Sequence, residues 1–175
     1  SGVLTVMTLF ALDQWRREAW QPQIQADRCR ASSALFDFSF MSVVRLRGPD
    51  AAFIISRYVR RDISQMSPGS IRYCLRSDDS GHVVSDLTVW RLNDQTFDVM
   101  SGERQDAKHL LEQANRETTV EDLSESTAIF AVQGPMSLAQ VLPACGGDRL
   151  KQLGYFCFGD LDIHGIPARI GRLGY

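Results

Sequence analysis

The stretch from Ser70 to Leu92 constrains the fold most strongly, because its pattern specifies two antiparallel strands joined by a tight turn. Two runs rich in β-branched and aromatic residues, SIRYCLRS and HVVSDLTVWRL, flank the tetrapeptide DDSG at positions 78–81. Turn residues between two such runs predict a β-hairpin with a four-residue loop. The second strand carries a carboxylate, Asp86, in its middle, where a strand that only packs apolar side chains has no need of one.

The register of this hairpin predicts which side chains accompany Asp86. If the strands meet directly across the four-residue loop, Tyr73 falls opposite Asp86, and opposed side chains share a face with Cβ atoms about 5 Å apart. Thr88 and Trp90 follow on the same side. A phenol, a carboxylate, a hydroxyl and an indole make a poor core but a suitable wall for a flat heteroaromatic ligand. On spacing alone, the alternative that Asp86 faces solvent on a half-exposed sheet stays open.

Further helices and strands surround the hairpin in the sequence. In chain order, the patterns predict a helix over 13–33 interrupted at Pro22, a strand over 41–48, a helix from Gly48, strands around turns at 78–81 and 93–94, a helix over 103–115, a strand over 127–134 buried on both sides, a short helix through Leu142 and two strands around 164–165. This order is typical of an α+β fold, with helices packed on mostly antiparallel sheets.

Composition and charge exclude several classes of function. Nineteen Lys and Arg against 21 Asp and Glu give the 175-residue chain a net charge of −2, which provides no general attraction to nucleic acid or anionic lipid. No segment reaches the roughly 18 consecutive apolar residues that a membrane span needs. The four cysteines are scattered, without a CxxC pair or a histidine at metal-ligand spacing, so we expect no metal site and a reducing, cytoplasmic location. No glycine-rich dinucleotide motif occurs, so any flavin would belong to another domain or chain.

Six short motifs follow one another along the chain. They are RASSALFDFSFM at 30–41, LRGPDAAFI at 46–54, RDISQMSPGSIRYCL at 61–75, DDSGHVVSDLTVWRL at 78–92, AIFAVQGPMS at 128–137 and RLGY at 172–175. Each motif is weak alone. In this order and at this spacing, the chain from about residue 30 to its end resembles the folate-binding fold of the glycine cleavage system T-protein, an aminomethyltransferase.

The resemblance implies a tetrahydrofolate-dependent aminomethyl or one-carbon transferase, or the folate-binding part of one. Asp86 matches the family's acidic residue that lies beside the folate and is needed for transfer, so it is the expected catalytic residue. Tyr73, Met41 and Tyr175, together with Asp86, match positions that line the folate pocket. The implied small molecules are tetrahydrofolate and an aminomethyl or N-methyl amino-acid donor, with a flavoprotein or a lipoyl protein as partner.

Two positions depart from the T-protein pattern and leave alternatives open. Ser85 stands where the family has the first of two aspartates, and Phe40 stands where it has a histidine. In these features the chain is closer to the folate domain of dimethylglycine and sarcosine dehydrogenases. The alternatives are a non-catalytic folate-binding accessory protein of the kind that maintains iron–sulfur enzymes, and a fold kept only for protein contact.

The resemblance also implies how the chain is divided. We expect residues 1–43 and 126–175 to form a discontinuous first subdomain, and residues 44–125 to form an inserted α+β subdomain of ferredoxin-like type. Relatives continue beyond the position of Tyr175 into more of the folate site and a C-terminal β-barrel domain. The chain is therefore expected to be truncated at its C-terminus.

Overall fold

A computed structural model of the chain describes residues 22–143, 148–163 and 165–174. The helices are α1 (Pro22–Ala31), α2 (Ala51–Tyr58), α3 (Arg104–Leu111), α4 (Ser137–Val141) and α5 (Asp148–Gln152). The strands are β1 (Ala34–Asp37), β2 (Ser42–Arg47), β3 (Ile71–Ser77), β4 (Val83–Asn93), β5 (Thr96–Ser101), β6 (Thr119–Asp122), β7 (Phe130–Gln133), β8 (Cys157–Ile163) and β9 (Ile166–Arg172). None of these helices is both long enough and apolar enough to cross a membrane.

A five-stranded sheet in the order β3-β4-β5-β2-β6 is the centre of the fold. Every named strand pair in the described residues is antiparallel, so the α+β prediction with mostly antiparallel sheets is confirmed. Strand pairing alternates side chains between two faces. One face carries the apolar core, in which Val44, Leu87, Val89, Phe97 and Val99 pack with residues of α2 and α3.

The opposite face of the central sheet is covered at one end by the β8–β9 hairpin. Register places Ile71, Trp90, Asp98 and Arg45 in one row across four strands. The Trp90 ring lies 5.2 Å from the ring of Phe158 in β8. Backbone hydrogen bonds also join the hairpin to the sheet, because the amide of Ile71 donates to the carbonyl of Phe156 at 2.6 Å and the amide of Phe158 donates to that of Gly69 at 2.8 Å.

A small antiparallel pair, β1 with β7, lies outside the central sheet. The sequence predicted a strand over 127–134 that is buried on both sides, and the second part of this prediction is wrong. β7 is shorter, and its Phe130 and Val132 are 59% and 36% exposed. A continuous apolar run is typical of a strand whose two faces are both covered by other elements. Among the described strands, β7 pairs with β1 alone, and its Phe130 and Val132 side chains are exposed. The β1 strand was not predicted.

Other boundaries follow the sequence closely. Pro22 begins α1, as its fixed φ and missing N–H favour, while the part of the predicted helix before it lies outside the described residues. All strands of the central sheet fall between residues 42 and 122. The division into residues 1–43 with 126–175 and an inserted 44–125 stays a prediction.

Gly171 lets the β8–β9 hairpin approach the central sheet, and replacing it should loosen that contact. A Cβ at this position would lie 2.3 Å from Cη2 of Trp90 and 2.9 Å from Cδ1 of Ile71. Because Trp90 is buried and rigid, we expect Gly171→Ala to lower the free energy of unfolding by about 2 kcal/mol through overpacking. Urea unfolding followed by tryptophan fluorescence measures this loss.

Gly159 in β8 provides the matched control, because a Cβ there would meet no atom within 4 Å. Gly159→Ala should change the free energy of unfolding by less than about 0.5 kcal/mol. Equal losses in the two variants would show that the approach of Gly171 to Trp90 does not govern the docking of the hairpin.

Candidate functional site

The β3–β4 hairpin has a different register from the one that the sequence predicted. Asp86 lies opposite Leu75, and Tyr73 lies opposite Thr88. The loop runs over five residues, 78–82, and a β-bulge between Arg76 and Ser77 adds a further irregularity. The prediction that Tyr73 is directly opposite Asp86 is therefore wrong by two residues. Since successive side chains alternate between the two faces of a sheet, a shift of two residues leaves Tyr73 and Asp86 on the same face.

Local chemistry explains the longer loop. The Asp78 carboxylate accepts hydrogen bonds from the amides of Ser80 at 2.8 Å and His82 at 3.0 Å. Gly81 adopts φ +85°, which glycine tolerates without strain. These side-chain to backbone bonds stabilise a turn that is one residue longer than the predicted four-residue loop.

Tyr73 and Asp86 are diagonal neighbours on the two paired strands of the hairpin. The Tyr73 hydroxyl donates a hydrogen bond to Oδ2 of Asp86 at 3.2 Å. Tyr73 is 42% exposed and Leu75, opposite Asp86, is 47% exposed. The predicted pairing of a phenol with a carboxylate on an accessible face is thus present, through a diagonal rather than a direct contact.

The same face continues across the next strand. Thr88 lies opposite Met100 of β5, so Tyr73, Thr88 and Met100 form one row beside Asp86. We name the residues Tyr73, Leu75, Asp86, Thr88 and Met100 the open face. Leu75 and Met100 were missed from the sequence, although the alternation of β5 and the turn at 93–94 carried the signal for Met100.

Trp90 shares the side of the sheet that the sequence predicted, but it is not open to a ligand. It is 7% exposed, under Phe158, and its indole N–H donates to Oγ1 of Thr88 at 2.9 Å. The prediction that Trp90 forms part of a ligand-binding wall is therefore wrong. Trp90 closes one end of the open face and orients the Thr88 hydroxyl.

Met41 and Tyr175 were also predicted to line the site. Met41 directly precedes β2, two strands from β4, which places it roughly 10 Å from Asp86 across the sheet. It lines a separate cleft of 520 Å³ with Phe40 and Arg104, beside α3. The structure does not bring Met41 into contact with Tyr73 or Asp86. Tyr175 lies outside the described residues.

A second carboxylate on this side of the sheet, Asp98, is held by two arginines. Arg45 Nε and Nη2 donate to its two oxygens at 2.6 and 2.7 Å, and Arg169 Nη1 donates to Oδ2 at 3.1 Å. The bond to Asp98 raises the pKa of the Arg45 guanidinium. Asp98 is 2% exposed. Its charge is neutralised, and it ties β9 to the central sheet.

Asp86 has a different environment from Asp98. In the part of the chain that the structure describes, it forms no ion pair with an arginine or lysine, and Tyr73 is its side-chain partner. A carboxylate in this position can accept a proton or stabilise a positive charge that develops beside it. No group of His, Cys, Asp and Glu among the described residues is arranged to hold a metal ion.

The fold and this geometry define a class of protein: an α+β domain that presents one carboxylate and a phenol on the open side of an antiparallel sheet. Comparison with known proteins gives the family. The family model of the GCVT N-terminal domain matches residues 6–175. The chain belongs to this family.

Individual relatives agree with the family. An aminomethyltransferase of Oceanobacillus iheyensis is 28% identical over 155 residues, and one of Desulforamulus reducens is 31% identical over 149 residues. The crystal structure of the glycine cleavage system aminomethyltransferase T from Bartonella henselae superposes with a TM-score of 0.73 at 26% identity over 87% of this chain. The heterotetrameric sarcosine oxidase of Corynebacterium sp. U-96 shares the fold, with a TM-score of 0.59 at 19% identity over 81% of this chain and 71% of its own.

The matched region is a part of each aminomethyltransferase. The alignments cover 83% of this chain but 42% and 41% of the Oceanobacillus and Desulforamulus proteins. The Bartonella structure is likewise covered over 41% of its length. The chain therefore spans about two fifths of the length of these relatives.

The ion pair between Arg169 and Asp160 should make the docked hairpin sensitive to acid. Hydrogen bonds from Arg169 lower the pKa of the Asp160 carboxyl. A carboxyl whose pKa is lower in the folded chain stabilises it above the unfolded pKa, about 3.9, and loses this contribution as the pH falls through the folded pKa. The contribution is below about 1 kcal/mol, because solvent screens the pair.

Asp160→Asn isolates this contribution from those of the other carboxyls. We expect the variant to be less stable than the unsubstituted chain at pH 6, and the difference to close as the pH falls below the unfolded pKa of about 3.9 and through the lower folded pKa. Urea unfolding at a series of pH values measures it. A difference that stays constant over the whole range would contradict the assignment.

Proposed function

We propose that this chain is the folate-binding part of a tetrahydrofolate-dependent aminomethyltransferase, and that Asp86 is its catalytic residue. The observation that carries the proposal is the position of Asp86: an exposed carboxylate, hydrogen-bonded to Tyr73 at 3.2 Å, beside the buried Leu87 in the middle of β4. Membership of the GCVT N-terminal domain family supports the reaction class.

The open face fits a reduced pterin in shape and in polarity. Tyr73, Leu75 and Met100 offer a phenol ring and apolar side chains against which a flat ring can pack. The Asp86 carboxylate accepts one bond from Tyr73 and has further lone pairs for N–H donors of the ligand. The described residues thus supply both packing and a charged hydrogen-bond acceptor.

The chemistry follows from the charge that develops during transfer. In this reaction N5 of tetrahydrofolate forms a bond to the carbon of an aminomethyl or iminium donor, the bond from that carbon to the donor breaks, and the donor amine or thiol leaves with the electron pair of that bond. Positive charge builds on that nitrogen as it attacks the electrophilic carbon. Asp86 would stabilise this charge and accept the proton that the nitrogen loses. Tyr73 would hold the carboxylate in place by its hydrogen bond, so less reorganisation is needed at the moment of reaction.

Donor and location belong to the same proposal. We propose an aminomethyl or N-methyl amino-acid donor, delivered by a lipoyl protein or a flavoprotein partner, as the resemblance to the T-protein and to the dimethylglycine and sarcosine dehydrogenases implies. The described cysteines Cys29, Cys74 and Cys157 are free thiols. A cytoplasmic location stays a prediction.

Calorimetric titration of the 175-residue chain with tetrahydrofolate tests the binding site. Tyr73→Ala removes the phenol from the open face and should weaken binding about tenfold. Asp79→Asn is the control, because it changes a side chain in the loop of the same hairpin, away from the open face, where Asp79 pairs with the exposed Arg60. It should leave the affinity unchanged. Absence of binding by the unsubstituted chain, or equal weakening in both variants, would refute the site.

Asp86→Asn tests catalysis. In a preparation of the protein that transfers the one-carbon unit, we expect this variant to lower the rate about 10²-fold or more, because the carboxylate acts in the transition state. The affinity for tetrahydrofolate should fall much less. Formation of the one-carbon tetrahydrofolate product measures the rate. An unchanged rate would refute the role of Asp86, and folate binding without any transfer by the unsubstituted protein would favour an accessory protein instead.

A further inference from the structure

A buried carboxylate, Asp106, lies on the helix-covered side of the sheet, behind the strand that presents Asp86. It is on α3 and is 1% exposed. A buried charge is expensive unless it is paired and hydrogen-bonded. Nothing in the proposed chemistry uses Asp106 directly, so its partners indicate what it does.

Three side chains from three elements satisfy Asp106. The Tyr58 hydroxyl at the end of α2 donates to Oδ1 at 2.6 Å, and the Ser101 hydroxyl at the end of β5 donates to Oδ2 at 2.6 Å. Arg76 of β3 forms an ion pair with Oδ1 at 2.8 Å from Nε. Its guanidinium also lies over the Tyr58 ring, 5.4 Å from the centroid.

Two of these partners also contact β4 at Ser85 and Asp86, one through a backbone carbonyl and one through a side-chain hydroxyl. The Ser101 hydroxyl lies 3.4 Å from the carbonyl oxygen of Asp86, so its proton is shared between a strong and a weak acceptor. Nε of Arg76 donates to the hydroxyl of Ser85 at 3.3 Å, and Arg76 is the cross-strand neighbour of Ser85. Among the described residues, the Tyr58 hydroxyl bonds to Asp106 and makes no hydrogen bond to β4.

This part of the hairpin needs such support. The bulge lies between Arg76 and Ser77, and the tip residues Val83 and Val84 are 61% and 42% exposed, so few core contacts fix the register on the tip side of the buried Leu87. A slip of one residue would turn Asp86 to the opposite face. The hydrogen bonds from Arg76 to Ser85 and from Ser101 to Asp86 oppose that slip, because both form in the observed register.

We propose that Asp106 acts with Ser101 and Arg76 as a positioning cluster, which fixes the backbone at Ser85 and Asp86 and thereby holds the Asp86 carboxylate against Tyr73. The effect on folate rests on the proposed function, whereas the effect on the geometry of Asp86 does not. Ser85 stands where the family has the first of two aspartates, and in this arrangement its hydroxyl accepts a hydrogen bond from Arg76.

A pair of variants separates positioning from general stabilisation. Ser101→Ala and Tyr58→Phe each remove one hydroxyl that donates to Asp106, but only Ser101 reaches Asp86. In the ¹³C,¹⁵N-labelled 175-residue chain, we expect Ser101→Ala to shift the Cγ resonance of Asp86 and the Cζ resonance of Tyr73. Tyr58→Phe should leave both resonances within the spread given by Asp79→Asn. Ser101→Ala should also weaken tetrahydrofolate binding about three- to tenfold, which is the effect of one lost hydrogen bond.

Ser85→Ala keeps the test decisive if Ser101→Ala does not fold. It removes the Arg76 contact at a partly exposed position and leaves Asp106 fully bonded, and it should shift the same two resonances by a smaller amount. Unchanged resonances in the folded variants, or equal shifts in Tyr58→Phe and Ser101→Ala, would overturn the proposal. Shifted resonances in a chain that does not bind tetrahydrofolate would support the positioning cluster while refuting the folate site.

Discussion

The register of the β3–β4 hairpin is the constraint on which the open face depends. Leu87 and Asp86 are neighbours in β4 and therefore point to opposite faces of the sheet. Leu87 is 2% exposed, and burying a leucine contributes about 2 kcal/mol. When Leu87 is buried in the helix-covered core, Asp86 must therefore lie on the opposite face of the sheet. The hydrophobic core thus decides where the carboxylate points, without any interaction made by the carboxylate itself.

This dependence explains how much of the site the sequence could predict. The face shared by Tyr73 and Asp86 was predicted because it depends only on the alternation of side chains, which survives a shift of two residues. The register itself was missed because it depends on the bulge after Arg76 and on the bonds of the Asp78 carboxylate. The Asp-x-Ser pattern at 78–80 hints at such a turn, but it does not specify its length.

Predictions that depended on contacts distant in sequence succeeded less often. Trp90 was placed on the correct side, but Phe158 covers it, and that contact involves a hairpin much later in the chain. Likewise, the apolar composition of 127–134 predicted a strand, while its exposure depends on which layers lie beside it. Composition and periodicity specify the faces of an element. They do not specify which other element covers each face.

Asp86 and Asp98 show how one sheet gives two carboxylates different roles. Both point to the same side of the sheet, from neighbouring strands. Asp98 is buried and is fixed by two guanidinium groups, so changing its charge would remove the carboxylate that Arg45 and Arg169 share. Asp86 is exposed and has a neutral hydroxyl as its partner, so its charge is available to a ligand. The ion pairs of Asp98 hold the β8–β9 hairpin against the sheet, and Asp86 is the carboxylate of the open face that the proposed chemistry would use.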